Sequence, residues 1–220
     1  MVIVLALAAT TLSPSHSKAN EITITQIGDD LTMDIVQDGE DHVIKKKTTT
    51  SKIDGNDVTF IVRQTKNDNI IEYDQLTGDY NYIGLFQGEN IYGWESNDTH
   101  GNNNYIGINV EGEGNTVQHQ QLHNYHDVTT NIQGNNNNVW SNQQNYGAKS
   151  INLTINNDNN TVDIDQRNGN TSTSHTTTIT LDGTYGTNLD LNQSGWAPNS
   201  YTLNQYCTNS AGCAVSVTQN

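Results

Sequence analysis

The sequence predicts an all-β solenoid of about eight stacked strand-turn-strand rungs, with a repeat of about 22 to 23 residues. Composition is the first support. The 220 residues include 33 Asn, 28 Thr, 15 Gln and 18 Gly but only 2 Pro, and only 32% are hydrophobic, which excludes an ordinary helical protein. In addition, a seven-residue window ending in Gln recurs along the chain, and clusters of Gly, Asn and Asp separate its copies.

The recurring window has apolar residues at its third and fifth positions and often Asn at its first. Alternation at period two is typical of a short, half-buried strand, and the polar clusters between windows supply the turns. Because successive windows mostly start 11 or 12 residues apart, two windows make one rung. The windows span residues 20–26, 31–37, 58–64, 69–75, 81–87, 115–121, 138–144, 160–166, 187–193, 199–205 and 213–219.

The windows fall into two sets of equivalent strands. In the first set a Gln closes each strand, and the inward residues expected to be equivalent are Val117, Trp140, Val162, Leu189 and Val215. In the second set an aliphatic residue replaces the Gln, and the aligned segments are 106–110, 128–132, 151–155 and 177–181. Wider spacing at 45–56 and 169–175 predicts inserted loops.

A single rung this short cannot bury its apolar face, so it is stable only when it is stacked on another. Stacking at about 4.8 Å brings each Asn or Gln above its counterpart, where the amides can bond to one another. Turns favour Asn but have no preference for Gln, so the fixed Gln indicates a core position. The ends of such a stack carry unpaired backbone groups that can template the addition of another chain.

The spacing over residues 20–37, Asn-x5-Gln-x-Gly-x2-Leu-x5-Gln, returns with looser turns at 69–75 and 138–144. It resembles the curlin repeat of curli, the amyloid fibre of bacterial surfaces, over nearly all of residues 20–220. The resemblance implies a secreted subunit that polymerises into adhesive cell-surface fibres of the biofilm matrix. It leaves open whether the chain is a major or a minor, nucleating subunit.

The partners that the resemblance implies are further copies of the chain, a second fibre subunit and an outer-membrane export system. The stacking positions that it implies are Asn20, Gln26, Gln37, Gln64, Asn69, Gln75, Asn81, Gln87, Asn115, Gln121, Asn138, Gln144, Asn160, Gln166, Gln193, Asn199, Gln205 and Gln219.

Residues 1–19 are predicted to be an export signal, with an apolar run and a small-x-small cleavage site, so that residues 20–220 form the repeat domain. The apolar run is far shorter than the roughly 20 residues that span a bilayer, so no membrane span is expected. The two cysteines, Cys207 and Cys213, are predicted to form one disulfide in an oxidising compartment. Two free thiols are the alternative.

The net charge is −15 with only 9 Lys and Arg, which makes nucleic acid an unexpected partner. His119, His123 and His126 have spacing that could bind a transition metal, but they are expected to point in different directions. The turn at 156–160 could offer oxygen ligands to Ca²⁺. Asp163 and Asp165 could mimic a glycosidase pair, although outward acidic residues are ordinarily solubilising. We therefore predict no enzymatic activity, no metal site and no cofactor.

The alternative function is a monomeric secreted β-solenoid that binds a carbohydrate or ice surface through one flat face. The residues that suggest such a face are Thr23, Thr25, Thr177, Thr178 and Thr180. The expected outward positions elsewhere hold Glu72, Asp74, Asp163 and Asn204, so the threonine array is predicted to be interrupted.

Overall fold

A computed structural model describes residues 19–25, 32–53, 57–88, 101–167 and 174–220, and the statements below concern these residues. Every helix or strand among them is a β-strand. The strands in chain order are β1 (Glu21–Ile22), β2 (Thr32–Glu40), β3 (Val43–Lys46), β4 (Lys52–Ile53), β5 (Thr59–Asn67), β6 (Ile70–Thr77), β7 (Tyr82–Gln87), β8 (Tyr105–Glu111), β9 (Thr116–Gln121), β10 (Asp127–Ile132), β11 (Asn138–Gln143), β12 (Lys149–Ile155), β13 (Thr161–Gln166), β14 (His175–Gly183), β15 (Thr187–Gln193), β16 (Asn199–Cys207) and β17 (Cys213–Gln219).

The strands form two parallel sheets. The first sheet has nine strands, ordered β1-β3-β6-β8-β10-β12-β14-β16 with β4 beside β6, and the second has eight, ordered β17-β15-β13-β11-β9-β7-β5-β2. From β7 to β17 the chain alternates between the sheets, strand by strand, which is the path of a solenoid. The prediction of an all-β solenoid is confirmed.

Alternating burial explains why the two sheets pack together. In β13, Val162, Ile164 and Gln166 are buried while Thr161 and Asp163 are exposed. Such inward side chains from both sheets form a single apolar core that runs from Ile44 to Leu191. Parallel strands on their own cannot satisfy this burial, so each rung depends on the rungs above and below it.

The repeat is less regular than predicted. Equivalent Gln residues in the second sheet lie 22 to 34 residues apart, because the links between strands vary in length. Within 45–56, residues through Lys46 belong to β3, and β4 pairs with β6, so this stretch is only partly a loop. The second predicted loop, 169–175, lies outside the described residues apart from residue 174 and His175, which begins β14.

The turns stack as closely as the strands. Gly112 has φ +114°, and a Cβ added there would lie 2.3 Å from the carbonyl oxygen of Gly134 in the next rung. Only glycine fits this combination of positive φ and close backbone approach. At the last turn, Cys207 and Cys213 form a disulfide with a Cα–Cα distance of 5.8 Å.

The predicted export signal lies outside the described residues apart from Ala19 and stays a prediction. Among the residues that the structure describes, there is no helix with the length and apolar character needed to cross a membrane.

Candidate assembly site

A continuous ladder of eight glutamines runs through the second sheet. Each Nε2 donates to the Oε1 of the next glutamine at 2.8 to 3.0 Å. The members in order are Gln37, Gln64, Gln87, Gln121, Gln143, Gln166, Gln193 and Gln219. The six inner glutamines are fully buried, so the ladder satisfies amides that would otherwise be costly to remove from water.

The second Nε2 proton of these glutamines ties the two sheets together. Gln121 donates to the Tyr105 carbonyl at 3.0 Å and Gln143 donates to the Asp127 carbonyl at 3.1 Å. Gln219 does the same with Ser200 at 3.3 Å. The ladder therefore has a direction, with each donor pointing toward the C-terminal end of the stack.

A second ladder is made of asparagines at the corner where the chain enters the second sheet. Asn81, Asn115, Asn137 and Asn160 are buried, and each Oδ1 accepts a hydrogen bond from the backbone N–H of the next rung at 2.8 to 3.0 Å. These bonds reach Thr187 at the far end. The corner asparagines thus replace backbone pairing where the strands have not yet begun.

The opposite corner mixes residue types that the sequence analysis did not connect. The strand register aligns the residues that lie at or just before the start of the strands of the first sheet. In order along the stack they are Asn20, His42, Asn69, Asn104, His126, Lys149, His175 and Asn199. His42, Asn69, His126 and Lys149 each bond to a carbonyl four residues earlier. The sequence carries no signal for this shared role, because each acceptor is a backbone carbonyl that any residue type supplies.

Lys149 is the buried cation of this corner. Its Nζ donates to the carbonyls of Asn145, Tyr146 and Gly147 at 3.3, 2.7 and 3.1 Å, so all three protons are used. Burial lowers the pKa of Lys149 to about 8. Its register neighbours His126 and His175 have lowered pKa values, first through burial and second through the charge of Lys149.

Two of the predicted stacking residues are wrong by one position. Val139, not Trp140, is aligned with Val117 and Val162. The glutamine ladder therefore contains Gln143 in place of the predicted Gln144, and the asparagine ladder contains Asn137 in place of the predicted Asn138. Asn138 is exposed on the opposite face of its strand.

Two further predicted ladder residues lie in the other sheet. Gln75 belongs to β6 of the first sheet, where a register shift aligns Leu76 with Val110. Gln205 is aligned with Leu181 in the aliphatic column. Gln26 lies outside the described residues.

The three histidines considered as a candidate metal cluster do not converge on one point. His119 is fully buried between Ser141 at 2.6 Å and Thr130 at 2.7 Å, and burial lowers its pKa to about 3. His123 and His126 instead contact the Leu122 carbonyl at the corner. Within the described ranges there is no group of three or more His, Cys, Asp or Glu that could hold a metal ion.

The residues of the other candidate sites make the following contacts. In the turn at 156–160, Asp158 accepts a hydrogen bond from the Asn135 N–H at 2.7 Å and so connects this turn to the turn of the preceding rung. Asp165 binds Arg167 at 2.5 Å, while burial and the neighbouring Asp190 and Asp165 raise the pKa of Asp163. Thr177 points inward, and its hydroxyl donates to Gln193 at 2.8 Å, so it does not belong to an outer threonine face.

Among the strands that the structure describes, β16 and β17 are the outermost of their sheets at one end of the stack, and no described strand pairs with their outer edges. Tyr201, Leu203, Val215 and Val217 pack on the core but are only half-buried. No Asp, Glu, Lys or Arg occurs in residues 191–220, although the chain carries a net charge of −15. This end therefore has none of the charges with which proteins usually protect an edge strand.

The other end differs in charge and in hydrogen-bonding polarity. Its outer strand β2 carries Asp34, Asp38 and Glu40 on exposed positions. Gln37 donates to Gln64, and among the described residues its Oε1 has no donor. Gln219 at the opposite end accepts from Gln193 and keeps one amide proton beyond its bond to Ser200. The end with Gln219 can therefore donate a further ladder hydrogen bond, and the end with Gln37 can accept one.

Comparisons with family models, with curated proteins and with solved structures found no match to this chain. The resemblance to the curlin repeat therefore stays a prediction.

Proposed function

We propose that this chain is a secreted, non-enzymatic fibre subunit that polymerises head to tail, adding copies through its terminal rungs as a curli-like adhesive fibre of the extracellular matrix. The observation that carries the proposal is the pair of complementary ends. Among the described residues, one end offers an amide proton of Gln219 that has no acceptor and two edge strands without charged side chains, and the other offers an Oε1 of Gln37 that has no donor.

Charge favours head-to-tail over head-to-head addition. Two β2 ends brought together would place acidic side chains such as Asp34 and Asp38 against like charges, which is destabilising across paired strands. The uncharged β17 end meets β2 without this cost. A contact between two different surfaces that does not close on itself produces an open filament.

If a docked copy continues the strand register, the columns of aligned residues give the side chains that would meet at the junction. The column of inward Gln residues ends in Gln219 and begins in Gln37, so docking continues the ladder. The outward column that lies between the inward columns of Val215 and Val217 ends in Ser216 and begins in Asp34. Half-buried Val215 and Val217 would meet Met33 and Ile35 and become fully buried.

The proposal is tested by incubating residues 20–220 at micromolar concentration and examining the product by electron microscopy and fibre diffraction. We expect filaments with reflections near about 4.7 and 10 Å, the strand and sheet spacings of a cross-β fibre. A chain that stays monomeric for days contradicts the proposal.

A pair of adjacent variants tests the docking end itself. Val217→Lys places a charge on the inward face of β17, where a docked copy would bury it, so polymerisation should slow at least tenfold. Ser216→Lys changes the outward neighbour, opposite Asp34 in the expected junction, and should polymerise at least as fast as the unmodified chain. Thermal unfolding of each monomer checks that the fold is intact. Equal polymerisation rates for the two folded variants would exclude this end as the docking surface.

A further inference from the structure

The outward face of the first sheet carries a regular array of small polar side chains. On β10, β12, β14 and β16 the outward residues align in three columns through the strand register. The columns are Asp127, Ser150, Thr176 and Ser200; Thr129, Asn152, Thr178 and Thr202; and Asn131, Thr154, Thr180 and Asn204. We call these twelve residues the polar face.

The polar face is nearly free of charge in a strongly acidic chain. Its single ionisable residue is Asp127, at one edge, where burial raises the pKa of the carboxyl. The outward face of the second sheet carries Asp163, Asp165 and Asp190 over the corresponding rungs. Two copies can therefore approach each other on their polar faces with much less repulsion than on their opposite faces.

The side chains of the polar face are also available for contact. Thr176, Thr178, Ser200, Thr202 and Asn204 are exposed. The intramolecular hydrogen bonds of the described residues use none of these five side chains. This contrasts with the inward polar residues, such as Gln166 and Thr177, which are bonded within the core. Regular rows of small polar side chains on a sheet surface are able to interdigitate with an identical row.

We propose that the polar face packs against the polar face of a second copy and joins neighbouring fibres side by side. The proposal rests on the proposed function, because one subunit offers too little area for a stable pair. Three columns by four strands cover about 400 Å² per copy, below the roughly 800 Å² per partner of a typical stable interface. In a fibre the patch repeats with every subunit, so the contacts add and bundles form although free subunits stay unpaired.

The test compares two variants that add the same charge to opposite faces of filaments. Thr178→Glu places a carboxylate at the centre of the polar face, between Asn152 and Thr202. Thr161→Glu is the matched control, an exposed threonine of the second sheet between Asn138 and Asn188. Negative-stain electron microscopy counts single filaments and bundles, and low-speed sedimentation measures the bundled fraction.

We expect the unmodified chain and Thr161→Glu to form bundles, and Thr178→Glu to form single filaments at the same rate with loss of the bundled fraction. Bundling by Thr178→Glu at the unmodified level, or equal loss in both variants, overturns the lateral contact while leaving head-to-tail growth intact. If no chain forms filaments, the proposed function fails and the lateral contact fails with it. If the monomer restrains ice growth or binds a polysaccharide, and only Thr178→Glu abolishes this, the polar face binds that surface instead.

Discussion

Gln143 and Gln144 are adjacent and chemically identical, yet only Gln143 belongs to the glutamine ladder. Replacing each in turn by Ala removes the same atoms from two environments. Gln143 is fully buried, whereas Gln144 is partly exposed at the start of a turn. The backbone N–H of Gln144, which donates to the Gln166 carbonyl at 2.9 Å, is retained in the Ala variant.

The structure gives the expected size of the difference. Gln143→Ala removes the hydrogen bond to the Asp127 carbonyl and leaves two buried side-chain groups without their ladder partner, namely one proton of Gln121 and the Oε1 of Gln166. Each buried polar group left unpaired costs about 1 to 3 kcal/mol, so we expect a loss of about 2 to 6 kcal/mol in the free energy of unfolding. Gln144→Ala changes a side chain outside the ladder and should stay within about 0.5 kcal/mol.

Urea unfolding of the freshly prepared monomer, followed by far-ultraviolet circular dichroism, measures both variants against the unmodified chain. The dependence of the unfolding free energy on urea should be unchanged, since the same surface is exposed. Equal losses for the two variants, or a loss below about 1 kcal/mol for Gln143→Ala, would refute the argument that ladder amides stabilise the stack.

The remaining predictions concern acid and the disulfide. Burial lowers the pKa of His119 and His126 to about 3. Below about pH 6.5 the unfolded chain therefore binds more protons than the folded chain, and the free energy of unfolding should decrease as the pH is lowered, by about 1.4 kcal/mol per pH unit for each histidine. His126→Asn places the residue type of Asn104, its counterpart in the preceding rung, at this position. Urea unfolding between pH 7 and 5 should show a pH dependence of the unfolding free energy that is smaller by the contribution of one histidine. An unchanged pH dependence would contradict a buried, neutral His126. Reduction of the Cys207–Cys213 bridge should remove about 2 kcal/mol from the last rung by the chain-entropy model. Amide hydrogen exchange should then rise over residues 201–217 and stay slow over 117–164, and unchanged exchange after reduction shows that the bridge does not hold that rung.

The outcome at β11 shows where the sequence signal ends. The doublets at 137–138 and 143–144 make two registers agree equally well with the seven-residue window, so the window does not decide between a start at Asn137 and a start at Asn138. Stacking decides between them, because Val139, Ser141 and Gln143 must continue the columns above and below. A shift by one residue would turn every side chain of the strand to the other face.

The two sheets raise a similar ambiguity. The windows at 69–75 and 199–205 end in Gln like those of the second sheet, but their strands pair in the first. Nothing within seven residues records which sheet a strand will join, because that depends on the lengths of the preceding turns. The corner residues His126 and Lys149 were missed for the same reason, since their role is set by carbonyls that only the folded turn brings near.

The sequence by itself therefore determined the fold class, the strands with clear period-two alternation, and the alignment of 151–155 with 128–132 and 177–181, all of which depend on local pattern. Only the tertiary structure decided which residues belong to the two ladders, which histidines and lysine lie at the opposite corner, and how the two ends of the stack differ. The physical reason is that a rung has no stable arrangement alone. Its register and its polar partners are fixed by the neighbouring rungs, from which it is separated by 22 residues or more of chain.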